Sequence, residues 1–336
     1  MGYSAYLGHP SQLCSVEEVR LQGGRGDGMR LLQIRNGSGL ELTVSVDRCA
    51  DISRLIFKGD NMGYFSPCGY VAPGYYDSRG DGFLKSFTAG FLTTCGLTAV
   101  GVPCTDAGET LPLHGTIANT PCDRIWWEEA EDRITVHAEV SDRRIFARKL
   151  LLRRTLAVGT TENTITLTDT VENQGDTDSP LMLMYHMNLG YPLLSEHAVV
   201  RINSRTVVPR DRHAAKDLDT WQTMLPPTPG FAEQCYYHRF EGQGQASVYN
   251  PDIGKKLEIS FDSGSLWNLT EWKMMGVHDY VLGLEPGNCT PDGREAMRRT
   301  GMLQILKAGE TASFTVKIRL FPCAGVATGD SLTIPK

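Results

Sequence analysis

Across residues 124–183 apolar and polar residues alternate in one segment after another: ITVHAEV, FARKLLLRRTLAV and NTITLTDTVEN, separated by the turn-forming DR, GTTE and NQGDTD. A period of two puts every second side chain on the same side of an extended chain, and short polar breaks between such runs join neighbouring strands antiparallel. A stretch patterned this way predicts successive strands of one large sheet. The Arg, Glu and Thr residues between the apolar ones predict that one face is solvated, with His137 on it. The 35 glycines and 17 prolines, with few long amphipathic repeats, extend the reading to the whole chain as all-β and mainly antiparallel.

Residues 181–192, LMLMYHMNLGYP, differ in kind. Met182, Met184, His186 and Asn188 share one parity; Leu181, Leu183, Tyr185, Met187 and Leu189 share the other. The run is apolar on both sides, so both faces of this strand are expected to be covered. An imidazole and a carboxamide on such a wall are costly unless paired, by protein or by ligand. The simpler reading is a histidine satisfied within the core. A second segment of the same type, 280–288 (YVLGLEPGN), favours a site, because there Glu285 closes an apolar strand just before a Pro-Gly turn.

The length of 336 residues exceeds that of most domains, yet β sandwiches reach it. The expectation is one domain over 1–336, with the strands of 1–39 packed on it. A net charge of −6 and a pI near 5.8 argue against nucleic-acid or anionic-membrane partners, which call for a basic face. No stretch approaches the ~20 apolar residues of a membrane span, and the first residues lack a signal-peptide pattern, so the expected location is cytoplasmic. Nine scattered cysteines without a CxxC pair predict reduced thiols, with neither a disulfide framework nor a metal site.

Elsewhere, Arg30 to Arg35 and Leu40 to Val46 read as strands. The cluster Asp47, Arg48 and Asp51 follows as either a surface ion-pair turn or a guanidinium fork for sugar hydroxyls. Residues 61–82 form a long irregular loop of the kind that covers a site, and Lys85 is the only charge in FLKSFTAGFLTTCGL. After a second loop at 98–110, His114 sits beside Gly115. Further strands are EQCYYHRF, the hairpin ASVYNP and KLEISFD, and LWNLTEWKMM with Trp272 and Lys273. MLQIL and ASFTVKIRLF read as a final strand pair.

PLHG at 112–115, YHMNLG at 185–190 and GLEPGN at 283–288, with DRCADI at 47–52 and TCGL at 94–97, resemble in order and spacing the aldose 1-epimerase (galactose mutarotase-like) superfamily, in its uncharacterised aldose-1-epimerase-like branch. The likeness covers the chain from about Leu40 to Phe321 and implies a β supersandwich. It carries His114, His186 and Glu285 over as catalytic residues. HGT, YHMN and LEP stand where typical mutarotases have HGG, HxYFN and ETQ, so Asn188 comes two positions earlier than usual. Glu233 is the counterpart offered for the family's substrate-binding aspartate, and Lys85 or Arg48 for its arginine. Asn188, Trp272, Lys273 and Asn288 complete the expected sugar-binding set.

Anomer interconversion removes the C1 hydroxyl proton while the ring oxygen gains one; the ring opens, C1–C2 rotates, and reclosure reverses both transfers. A carboxylate base (Glu285) and an imidazole acid (His186), with His114 supporting, suit this chemistry, and no cofactor is called for. The expected partner is a small-molecule sugar, and the expected assembly a monomer or homodimer. Two alternatives are a lyase or ketosugar isomerase using Lys273 or Tyr185 as a further proton carrier, and a non-catalytic carbohydrate-binding protein.

Overall fold

The computed structural model of the chain describes residues 5–323. Three antiparallel sheets dominate. The first runs in sequence order through Ser15–Arg20, Arg30–Arg35, Leu40–Ser45, Asp51–Phe57 and Asp60–Asn61. The second has eight strands: Arg124–Glu129, Arg133–Arg143, Lys149–Gly159 and Thr164–Asn173, then Thr311–Pro322, Lys255–Phe261, Gly244–Asn250 and Val199–Ile202. The third orders Thr206–Pro209, Gln234–Arg239, Asn268–Met275, Tyr280–Gly287 and Ser179–Leu189. Ser179–Leu189 also pairs with Gln304–Leu306 at its start and with Leu92–Leu97 further along.

The alternating segments therefore form neighbouring strands as expected, but only as far as Asn173. Ser179–Leu189 crosses to the third sheet, and Thr311–Pro322 takes the place beside Thr164–Asn173. The reason is burial: Ser179–Leu189 is covered on both faces and must be an interior strand, whereas Thr164–Asn173 alternates buried and half-buried residues and keeps one face wet. Gln304–Leu306 and Thr311–Pro322 likewise belong to different sheets and do not pair with each other. The loop at 98–110 holds a small ribbon, Cys104–Asp106 against Glu109–Leu111. His137 stands on the wet face of its sheet, half-covered by Trp126 stacked at 5.1 Å.

The main core lies where the inner face of the eight-stranded sheet meets the odd-numbered side chains Leu181, Leu183, Tyr185 and Met187. Arg154 is buried in the middle of it. Its guanidinium donates to Asp169 at 2.9 and 2.7 Å, to Asp51 at 2.7 Å, to Thr94 Oγ1 at 2.7 Å and to the Cys49 carbonyl at 2.9 Å. Asp51 also accepts from the Thr94 backbone and hydroxyl, and Tyr185 donates to Asp169. Such a charge is tolerable inside a core because every donor is matched. DRCADI and TCGL thus meet in the core, where they join the sheets. All nine cysteines are free. Among the described residues no helix is long and apolar enough to cross a membrane.

Candidate active site

The third sheet places most of the candidate side chains. Met187 pairs with Leu284 and Met184 with Gly287, a register that sets His186 beside Glu285 on adjacent strands. Pro286 offers no backbone N–H between them, which loosens the ladder at this point. The odd-numbered side chains of Ser179–Leu189 fill the main core; of the even-numbered ones, Met182 and Met184 join a smaller apolar cluster and His186 lines a cavity of about 270 Å³. His186 Nε2 lies 3.1 Å from Glu285 Oε1, yet that oxygen has no aligned hydrogen bond, and His186 Nδ1 is also unpartnered.

His114 reaches the same cavity from a loop. Its φ of +59° is in the left-handed region, held by its own N–H to Gly101 (2.9 Å) and by its carbonyl, which accepts from Gly96 (3.1 Å). Gly115 is required next to it, since a Cβ there would stand 2.3 Å from the Gly96 carbonyl oxygen. The two imidazoles are nearly perpendicular with centroids 5.5 Å apart, and Trp272 meets His186 edge-on at 5.4 Å. Glu233 accepts from Trp272 Nε1 at 2.7 Å and from Arg210 at 2.9 Å, which fixes the indole and presents an ion pair at the wall. Phe83, Phe87 and Leu113 make the opposite wall apolar.

Burial sets the charge states. It pushes Glu285 well above the usual carboxylate range, helped by the neighbouring Glu233 and opposed by Arg210. It pushes His114 down to about 4 and His186 well below 6.5, the latter also repelled by His114. A neutral carboxylic acid 3.1 Å from a neutral imidazole sets one transferable proton beside one proton acceptor.

Of the expected site residues, His114, His186, Glu285, Glu233 and Trp272 converge on this cavity. The others are elsewhere. Arg48 is buried and donates to the Val71 carbonyl at 3.0 Å. Lys85 points into solvent and pairs with Asp77 at 3.0 Å. Asn188 is fully buried, and its amide donates to the His186 carbonyl at 3.0 Å. Asn288 ties the Leu183 N–H, the Leu181 carbonyl and Gln304 together. Lys273 projects from the opposite face of its strand and donates to the Trp221 carbonyl. Tyr185 is in the core on Asp169. Sequence reasoning missed Arg210, Thr270, Phe83 and Phe87. Thr270 was within reach, since it shares its parity with Trp272; Arg210 stands in a polar segment with no pattern to mark it.

The sequence profile of the family described as a domain of unknown function (DUF4432) matches residues 26–320. No curated protein matches the chain. Among solved structures, a Klebsiella pneumoniae protein, provisionally described as an aldose 1-epimerase, is 28% identical over 91% of this chain and 83% of its own, with a TM-score of 0.86. A galactose mutarotase-like protein from Clostridium acetobutylicum (14% identity, 93% and 99% covered, TM-score 0.66) and galactose 1-epimerase from Lactobacillus acidophilus (14%, 93% and 100%, 0.62) share the fold. The architecture is galactose mutarotase-like.

Proposed function

The chain belongs to the DUF4432 family, and on that premise, joined to the cavity just described, we propose that it is a carbohydrate isomerase interconverting the α and β anomers of an aldose or aldose derivative. The observation that carries this reading is the 3.1 Å approach of His186 to Glu285 inside a largely apolar cavity. Ring opening needs one acid and one base acting together, and a pair that carries one transferable proton supplies both. With that proton on His186, the Glu285 carboxylate takes the C1 hydroxyl proton while the imidazolium protonates the ring oxygen. The open-chain aldehyde rotates about C1–C2, and the transfers run back. Low local polarity strengthens both interactions and keeps bulk water from the proton path.

The remaining groups bind. His114 steadies a hydroxyl, the Arg210–Glu233 pair offers donors and acceptors to ring oxygens, and the Trp272 face receives the apolar side of the sugar. The reading is supported by the likeness to proteins described as epimerases and mutarotases. Its test is polarimetry and NMR exchange on freshly dissolved single anomers of a panel of aldoses, with a parallel search for new sugar products. Anomer equilibration faster than the buffer rate, abolished by Glu285→Gln, is expected. Equal rates with and without protein across the panel would overturn the proposal, and a new product would redirect it to another sugar isomerisation or a lyase.

A further inference from the structure

The reactive cavity continues into a second hollow of about 400 Å³, and the two share Leu84, Phe87, Glu233 and Trp272. Two neighbouring strands form the common floor. Along Asn268–Met275 the side chains that face the groove are Thr270, Trp272 and Met274 in turn; Thr270 lines the first chamber and Met274 the second, with Trp272 in both. Along Tyr280–Gly287 the same parity gives Glu285 in the first chamber and Val281 in the second. Gly283 lies between them. A Cβ there would come 2.3 Å from Glu285 Oε1 and 3.0 Å from the Trp272 Cβ, so the glycine keeps the floor low where one chamber opens into the other.

Four residue steps along the strand lead from Val281 to Glu285, roughly 13 Å at the usual rise per residue. That is longer than a single six-membered sugar ring needs. The second chamber is lined mainly by apolar groups, among them Tyr64, Pro67, Met274 and Val281, and Tyr64 is pinned by its hydroxyl to Asp279 at 3.1 Å. Chemistry at C1 requires a free anomeric hydroxyl, so whatever fills this chamber must be attached to another carbon of the same sugar. Aromatic and aliphatic walls suit the CH face of a ring and not a string of hydroxyls.

We propose that the substrate is an extended reducing sugar: an aldose at the Glu285–His186 pair that carries, away from C1, a second ring lying over Trp272 and Met274. This deepens the proposed function and rests on it. The experiment compares the anomerisation kcat/KM of reducing disaccharides with that of their reducing monosaccharides, for the wild type and for Met274→Trp, which fills the chamber, and Met274→Gln, a milder change. Calorimetric binding of the same sugars is measured alongside. A preference of about tenfold or more for the disaccharide, lost in Met274→Trp and reduced in Met274→Gln, is expected. Equal or lower kcat/KM for the disaccharide, or a preference that survives Met274→Trp, overturns the inference and leaves the isomerase reading standing. If neither sugar is anomerised, the isomerase reading fails. Binding then decides the groove: disaccharide heat that Met274→Trp removes supports it, and its absence in the wild type overturns it.

Discussion

At the scale of single residues, the site puts a carboxyl group and two imidazoles where burial opposes their charged forms. Glu285 has a raised folded pKa, so the stability it permits is fully present below 4.5, its ordinary value, and is lost as pH rises toward the folded value. Glu285→Gln should therefore raise the unfolding free energy above pH 4.5 while abolishing turnover; urea titrations at several pH values check this, and an unchanged or lowered stability at pH 8 would contradict it. His114 and His186 act in the opposite sense, costing stability as pH falls below 6.5, toward about 4 for His114. The same directions shape the pH profile. The pair loses its transferable proton on the alkaline side, where Glu285 ionises, and gains a second on the acid side, where an imidazole protonates. The limbs are thus the reverse of an isolated carboxylate base and imidazolium acid, and a kcat/KM profile with an acid limb below the usual imidazole range and an alkaline limb above the carboxylate range is expected. His186→Asn should remove about two orders of magnitude or more from turnover, on the usual scale for general acids, and His114→Asn distinctly less. Rate measurements on one verified substrate decide between them, and a greater loss in His114→Asn would exchange their roles.

At the scale of elements, the strand period was the most legible signal and also the means of correction. It put His186 on one face of Ser179–Leu189 and Tyr185 on the other, and the structure has His186 at the cavity and Tyr185 in the core. The same rule forbids Trp272 and Lys273, adjacent on one strand, from serving one site, and Lys273 does lie on the far side. Arg48 and Lys85 had no such test, because both stand where the chain turns and parity loses its meaning. Asp51 was legible as a charge but not as a core charge, since its partners Arg154 and Thr94 come from strands far apart in sequence. That junction yields a further prediction. Arg154→Met leaves Asp51 and Asp169 without their cation inside the core and should cost about 3–5 kcal/mol. The loss should shrink in acid, where burial already favours the protonated form of Asp51. Urea unfolding at pH 7 and pH 5 measures both; a loss under 1 kcal/mol, or one that grows in acid, would refute the account.

At the scale of the whole molecule, the sheets were foreseeable as sheets but their membership was not, because pairing between distant strands leaves no mark in local periodicity. Thr311–Pro322 is the clearest case, since it lies between Thr164–Asn173 and Lys255–Phe261 in the interior of the eight-stranded sheet. During synthesis the ribosome releases both flanking strands well before this one. A nascent chain exposed only to residue 306 has two facing edges with nothing between them, and unpaired edges invite wrong partners. The fragment 1–306 should consequently remain open to protease and bind a hydrophobic dye, and a peptide of residues 307–323 supplied in trans should suppress both signals. A protease-resistant fragment would show that the sheet closes without its central strand. For a cell making this protein, the interval between the emergence of residue 261 and that of residue 322 is when chaperone protection matters most.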